Sequence, residues 1–171
     1  MATGHVVDIV AGRPRSREAA IEALQEHGPM LLATARLITL DDDEAQDLVQ
    51  ATFEIAIRRI DTLREPTALR GWLMRIETRE AFRVVRRMRQ VVRLEGHVRE
   101  LASPEAGIGQ RNEIREALLT LPVRTRAAVA LHYLVGLSVR ETADALGVSE
   151  NTIKSQLKAG LLRLREVLDD G

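Results

Sequence analysis

The sequence contains no cysteine, which excludes disulfides, thiol catalysis and metal centres held by cysteine. Aromatic residues are almost absent: the 171 residues include one Trp, one Tyr and two Phe, so a sheet whose aromatic side chains stack on bases is not expected. No apolar run approaches the length of a membrane span, and the first 17 residues lack a signal-peptide core. These absences predict a soluble, cytoplasmic protein without membrane insertion.

Lysine is scarce as well, since Lys154 and Lys158 are the only lysines among 25 basic residues. The 25 acidic residues bring the formal net charge to zero, but the two signs are segregated along the chain. Residues 41–57 include six acidic residues and no basic one, whereas residues 58–99 include 12 arginines and five acidic residues. The neutral sum is therefore compatible with an anionic partner such as nucleic acid.

Helix-forming residues dominate, the five prolines interrupt the helical periodicity, and no alternating apolar pattern indicates a strand. We predict an all-α protein of two small helical domains that a flexible linker joins, the C-terminal domain being a helix-turn-helix. The predicted parts are a loose tail (1–15), the N-terminal domain (16–93), the linker (94–111) and the C-terminal domain (112–171). In the N-terminal domain, Asp41-Asp42-Asp43 should cap a long helix that ends near Ile60.

The C-terminal third carries the signals of a helix-turn-helix. Ser138 and Glu141 have the spacing of a capping box, Gly147 permits a tight turn, and Ser149 can cap the next helix. That second helix would enter the major groove of DNA; a helical hairpin with a solvated polar face is the alternative. Its apolar stripe is predicted to consist of Ile153, Leu157, Leu161, Leu164 and Leu168. The predicted DNA-reading residues on its polar side are Asn151, Thr152, Lys154, Ser155 and Lys158.

A second candidate surface for nucleic acid lies on the helix predicted for residues 68–93. Glu77 and Glu80 project away from the side on which its arginines gather. The arginines of that side are Arg75, Arg79, Arg83, Arg86, Arg89 and Arg93. So many uncompensated positive charges predict a phosphate partner. The alternative, in which acidic residues of a neighbouring helix pair with these arginines, stays open.

The acidic segment 41–57 predicts a protein-binding face or a solvated one. Carboxylate clusters can bind hard cations, but capping explains the three consecutive aspartates, and the segment lacks the spacing of an EF-hand. We therefore assign no metal ligand, no cofactor and no catalytic residue to this chain.

Several motifs resemble those of a known family. The N-terminal motifs are residues 47–53 (DLVQATF), residues 71–76 (GWLMRI) and Arg86-Arg87. The C-terminal motifs are Leu121-Pro122 and residues 136–138, 141–143, 146–149 and 152–155. Together, over residues 20–168, they resemble the extracytoplasmic-function (ECF) class of the sigma-70 family of bacterial sigma factors.

The resemblance implies a non-enzymatic factor that lends promoter specificity and strand opening to RNA polymerase. The Asn151–Lys158 face would read the −35 element, and the linker would run toward the RNA exit channel. The implied partners are core polymerase (its β′ clamp and β subunits), promoter DNA and an anti-sigma factor. The implied contacts to the coiled coil of the β′ clamp are Asp47, Gln50, Glu54 and Arg58. The implied contacts to the −10 element are Arg64, Arg70, Arg75, Arg79, Arg83, Arg86 and Arg87.

The sequence departs from the family pattern at three positions. Arg79 stands where asparagine is usual, and Gln156 and Gly160 stand where the C-terminal helix commonly carries arginine. Gly160 should also weaken its helix by about 1 kcal/mol relative to alanine. Outside these positions, Trp72 is interpreted as a core anchor, and His132 and Tyr133 as packing residues.

Two other functions are open on the residues alone. A stand-alone helix-turn-helix regulator would act without polymerase, but it needs a dimer surface to match two half-sites. A helical metal-dependent hydrolase could use the acidic cluster 41–47 with His27 or His132, although no Glu-x-x-His pair is present. Because the C-terminal third is nearly neutral, we also expect the chain to bind DNA weakly without polymerase.

Overall fold

The computed structural model describes residues 17–95 and 110–169. The predicted tail and most of the predicted linker lie outside these ranges. The described residues form helices and turns without a strand, which confirms the all-α class. None of the described helices combines the length and the apolar character needed to span a membrane.

Within residues 17–95 and 110–169, eight α-helices carry the fold. The first four are α1 (Arg17–Gln25), α2 (Gly28–Thr39), α3 (Asp42–Arg59) and α4 (Leu69–Glu95). The others are α5 (Gln110–Leu119), α6 (Val123–Val129), α7 (Val139–Leu146) and α8 (Glu150–Asp169). Two 3₁₀ turns, Ile60–Thr62 and Pro66–Ala68, connect α3 to α4, and a π-helical turn, Ala130–Leu134, follows α6.

Local signals place the helix ends of the N-terminal half. Asp41 caps α3, because its Oδ1 accepts a hydrogen bond from the Glu44 backbone N–H at 3.0 Å. Pro29 lies in the first turn of α2, where its missing N–H costs nothing. Helix α2 ends at its C-cap residue Leu40, whose φ of 57° is left-handed. This conformation costs a non-glycine residue about 1–2 kcal/mol.

The two halves of the described chain, residues 17–95 and residues 110–169, share one apolar core. Buried side chains from α2, α3 and α4 and from α6, α7 and α8 form a single contiguous cluster. Its largest fully buried aliphatic members include Leu31, Ile38, Leu48, Leu73, Leu131, Leu137 and Ile153. Trp72 packs half-buried against this cluster, in agreement with its interpretation as a core anchor.

Among the residues that the structure describes, three hydrogen bonds cross the seam between the halves, and each ends on a backbone carbonyl. Arg70 Nη1 donates to the Val135 oxygen at 3.3 Å, and Thr78 Oγ1 donates to the Ala145 oxygen at 3.3 Å. Arg115 donates to the oxygen of Leu40 at 2.8 Å. A second apolar cluster extends the seam; it consists of Leu37, Leu40, Leu118, Leu121 and Leu164. The sequence pattern did not predict this packing between the halves.

The apolar side of α8 differs from its predicted stripe. Ile153 and Leu157 are buried, but Leu161 and Leu168 are 40% and 45% exposed. Gly160 is buried in their place, because α6 crosses α8 there. A Cβ at Gly160 would lie 3.0 Å from Thr125 Cγ2 and 3.0 Å from Val129 Cγ2. The glycine therefore permits a close helix contact, a role that the sequence pattern did not indicate.

Helix α4 carries a buried carboxyl group. Glu77 is fully buried, and neither side-chain oxygen has a hydrogen-bond partner among the described residues. Burial raises the pKa of Glu77 well above its usual value, because removal from water penalises the charged form. The native state therefore holds the Glu77 proton to a higher pH than the unfolded chain does.

Replacing Glu77 with Met should stabilise the protein at pH 7 by about 1–3 kcal/mol, because it removes buried oxygens without partners. The raised pKa makes native stability fall as pH rises from the unfolded-state pKa toward the native one. Both Glu77→Met and the isosteric Glu77→Gln should lose this dependence. Denaturant unfolding at pH 5 and pH 8 measures it; an identical pH profile in wild type and variants would contradict a raised pKa at Glu77.

Replacing Gly160 with Ala should destabilise the fold by about 1 kcal/mol. Better helix propensity contributes about 1 kcal/mol in favour, but overpacking against two stiff β-branched side chains costs about 1–3 kcal/mol. Adding Val129→Ala should relieve the clash. Gly71→Ala is the matched control, since its Cβ would meet nothing within 4 Å; equal effects at the two glycines would exclude the packing explanation. Thermal unfolding gives the comparison.

Candidate nucleic-acid and protein interfaces

The helix-turn-helix forms as its local signals predict. Ser138 and Glu141 make a reciprocal capping box: the Glu141 N–H donates to Ser138 Oγ at 3.1 Å, and the Ser138 N–H donates to Glu141 Oε2 at 2.8 Å. These bonds to Ser138, aided by the positive charge of Arg70, lower the pKa of Glu141. Gly147 ends α7 with φ of 66°. Ser149 Oγ then accepts from the Thr152 N–H at 3.1 Å and caps α8.

The first two turns of α8 present a polar face to solvent. All five predicted DNA-reading residues are exposed: Asn151, Thr152, Lys154, Ser155 and Lys158. Ile153 and Leu157, on the opposite side, anchor the helix in the core. The Thr152 hydroxyl lies 2.9 Å from Ser149 Oγ and so takes part in the cap. Gln156 is half-buried, which removes it from the exposed face.

The predicted −10 arginines are all exposed, but three of them have partners. Arg70 bonds to the carbonyl of Val135 across the seam. Arg87 pairs with Glu44 of α3 at 2.8 Å. Arg83 pairs with Glu80 at 2.8 Å, so the prediction that Glu80 projects away from the arginines was wrong: three residues apart, the two side chains are neighbours on the helix. The described residues supply no ion pair to Arg64, Arg75, Arg79 or Arg86.

These ion pairs are weak obstacles to a phosphate ligand. The arginine side chains of both pairs are more than 60% exposed, and exposed pairs contribute about 0–1 kcal/mol. The alternative of pairing with a neighbouring helix is thus realised at Arg87 alone, in the part of α4 that the structure describes. The arginine side keeps its capacity to bind an anion.

An open cavity of about 420 Å³ lies where the loop before α4 meets α7. Arg64, Arg70 and Arg75 line it from the N-terminal half, together with Trp72. From the other half, α7 contributes Glu141, Asp144 and Ala145. No sequence pattern indicates that α7 lies beside this loop, because only the packing of the halves brings them together.

The polar face of α3 is exposed along its length. Asp47, Gln50, Glu54 and Arg58 follow one another at three- and four-residue spacing, and all four are exposed. Gln50 Nε2 lies 3.5 Å from Glu54 Oε1, and Arg58 Nη1 lies 4.0 Å from Glu54 Oε2. The opposite side of α3 is buried in the core. The structure thus leaves this charged face available to a partner.

The residues proposed for metal chemistry do not converge. Within residues 17–95 and 110–169, no three His, Cys, Asp or Glu side chains are grouped as metal ligands. His27 Nδ1 lies 2.9 Å from the Ala23 oxygen, and His132 Nδ1 lies 2.7 Å from the Leu137 oxygen. His132 is therefore a packing residue, as predicted. Tyr133 is not: it is 54% exposed, because the π-helical turn shifts the helical register by one residue.

The fold and its exposed surfaces define a helix-turn-helix DNA-binding protein. Residues 23–91 match the family model "Sigma-70 region 2", and residues 111–164 match "Sigma-70, region 4". The ECF RNA polymerase sigma factor SigM of Mycobacterium tuberculosis is 31% identical over 154 residues, which are 89% of this chain and 78% of that protein. The RNA polymerase sigma-E factor of Streptomyces coelicolor is 31% identical over 140 residues, 81% of this chain and 79% of that one.

A solved structure agrees. The sigma factor RpoE from Bartonella quintana, in complex with the anti-sigma factor NepR, matches with a TM-score of 0.75 and 29% identity over 86% of this chain and 95% of that one. The chain belongs to the ECF sigma factors of the sigma-70 family, which are not enzymes and direct transcription initiation by RNA polymerase on promoter DNA. This membership disfavours the stand-alone regulator and the hydrolase.

Replacing Lys158 with Ala should weaken duplex binding and reduce the slope of log K against log salt by about one, because one phosphate contact is lost. Fluorescence anisotropy of a labelled promoter duplex at several KCl concentrations measures the slope. Arg163→Ala is the matched control: Arg163 is also exposed on α8 but pairs with Glu166. If the Lys158 variant keeps the wild-type slope, Lys158 does not contact DNA.

Proposed function

We propose that three surfaces of this sigma factor divide the work of initiation. The polar face of α3 docks on the coiled coil of the β′ clamp through Asp47, Gln50, Glu54 and Arg58. The loop before α4 and the arginine side of α4 hold the −10 element, and the exposed face of α8 reads the −35 element in the major groove. The supporting observation is that every residue assigned to these roles is exposed, while the opposite sides of α3, α4 and α8 are buried.

The charges of the surfaces suit these roles. Guanidinium groups bind phosphate oxygens in two-point contacts and keep their charge at any physiological pH. The α8 face has only two charged residues among its five, so it supplies base contacts more than bulk attraction. Affinity for the promoter should therefore come mostly from polymerase and from the α4 region. We further propose that the protein acts in the cytoplasm and that an anti-sigma factor regulates it, as NepR is bound to RpoE.

With its two halves packed together, the protein cannot contact the −10 and −35 elements at the same time. Their names place them roughly 25 base pairs apart, or about 85 Å along B-form DNA. A folded chain of this length has a radius of gyration of only roughly 15 Å. Residues 96–109 could add a reach of about 50 Å when extended. Simultaneous contact with both elements therefore requires the seam between the halves to open.

Reversing two charges of the α3 face, Asp47→Arg with Glu54→Arg, should weaken binding to core polymerase at least tenfold, because the face would repel the partner it now attracts. Binding is measured by competition for core enzyme, and promoter-directed transcription in vitro should fall in parallel. Glu113→Arg with Glu116→Arg, on exposed α5 positions, is the matched control. Unchanged polymerase affinity in the α3 variant would refute this docking face.

A further inference from the structure

A second cavity lies in the seam between α4 and α6, away from the loop before α4. It is open, has a volume of about 410 Å³, and is lined by Phe82, Val85, Arg86, Arg89, Gln90 and Val123. This volume is within the usual range of small-molecule sites. Five lining residues come from α4 and one from α6, so the packing of the halves completes the cavity.

Positive charge from both halves gathers around this cavity. Arg86 and Arg89 line it. The guanidinium of Arg124, one residue after Val123, stacks over the Phe82 ring at 4.8 Å from the ring centre. Arg126, on the same helix, is close enough to Arg89 that their charges repel, which helps burial lower the pKa of Arg126 to about 10. Two of these four arginines thus line the cavity, Arg124 covers a lining ring, and Arg126 lies near Arg89.

Arg126 does not line the cavity, but it lies near Arg89 and adds an unbalanced charge beside it. Arg126 is buried; among the described residues its Nε has no hydrogen-bond partner, and its one hydrogen bond, to the oxygen of Leu118, is long at 3.5 Å. The described residues provide none of the four arginines with an ion pair. A buried, uncompensated cation is costly, and like charges beside it add to the cost. An anion among these groups would offset both.

We propose that the α4–α6 cavity binds a small phosphate-bearing molecule of nucleotide size. Its phosphates would lie among Arg86, Arg89 and Arg124, and its less polar part would lie along Val85 and Val123. Because the ligand contacts both halves, it binds the packed arrangement and stabilises it over an opened one. If promoter binding requires opening, as the proposed function states, this ligand holds the factor in reserve.

The test uses the full chain and inorganic tripolyphosphate or ATP as probes, with KCl keeping the ionic strength constant. Isothermal titration should show saturable binding, and both probes should raise the melting temperature. Arg89→Gln and Arg124→Gln should each raise the dissociation constant at least tenfold. Arg140→Gln, which removes an exposed arginine of α7, should leave it within twofold. The measurement needs no polymerase, so it stays informative if the assignment of promoter contacts fails.

Arg126→Met tests whether the buried charge near Arg89 adds to the attraction for the anion. It should weaken tripolyphosphate binding while leaving the melting temperature of the free protein equal or higher, because a buried uncompensated charge is gone. Three results would overturn the proposal: no binding at millimolar probe, equal binding in all variants, or loss of duplex DNA binding in the Arg89 and Arg124 variants without any small-anion binding in wild type. The last result would make the cavity part of a DNA groove.

Discussion

The position of α4 between the two halves is the constraint on which the functional surfaces depend. It packs against α2 and α3 on one side and against α6 and α7 on the other. Seven residues along successive turns of α4 are therefore buried: Leu73, Met74, Ile76, Glu77, Thr78, Ala81 and Val85. Arginines cannot occupy those sides without losing hydration. They are confined to the remaining strip, and this confinement concentrates positive charge where promoter phosphates are proposed to lie.

Segregated charge also explains how a formally neutral chain can serve two kinds of partner. Acidic residues at the start of α3 satisfy the N–H groups of its first turn and the positive end of its dipole, while later acidic positions are left for a protein partner. Among the described residues, few ion pairs join the acidic segment 41–57 to the arginine-rich segment 58–99. The pair of Arg87 with Glu44 is one of them and is exposed. Such pairs orient neighbouring helices but hold them weakly, so an incoming partner can replace them at small cost.

The seam between the halves contains both stabilising contacts and groups that lower the stability of the folded protein. Apolar burial and three hydrogen bonds to backbone carbonyls hold the halves together. Against them stand a left-handed Leu40, a buried carboxyl at Glu77 and a buried guanidinium at Arg126 to which the described residues supply no ion pair, each of which costs free energy. An interface balanced in this way is suited to separation, and a ligand or partner that binds one arrangement better needs only modest differential affinity to select it.

The sequence by itself determined the features that depend on neighbours along the chain. The Asp41 cap, the Ser138–Glu141 capping box, the Gly147 turn and the exposed faces of α3 and α8 follow from local hydrogen bonding and helical periodicity. The motif order also identified the family. Only the tertiary structure decided the rest: why Gly160 is small, why Leu161 and Tyr133 are exposed, and that α7 and α6 complete two arginine-lined cavities with α4. Those outcomes depend on which helix surfaces meet across the seam, and contacts between residues far apart in the chain leave no periodic signal in either segment.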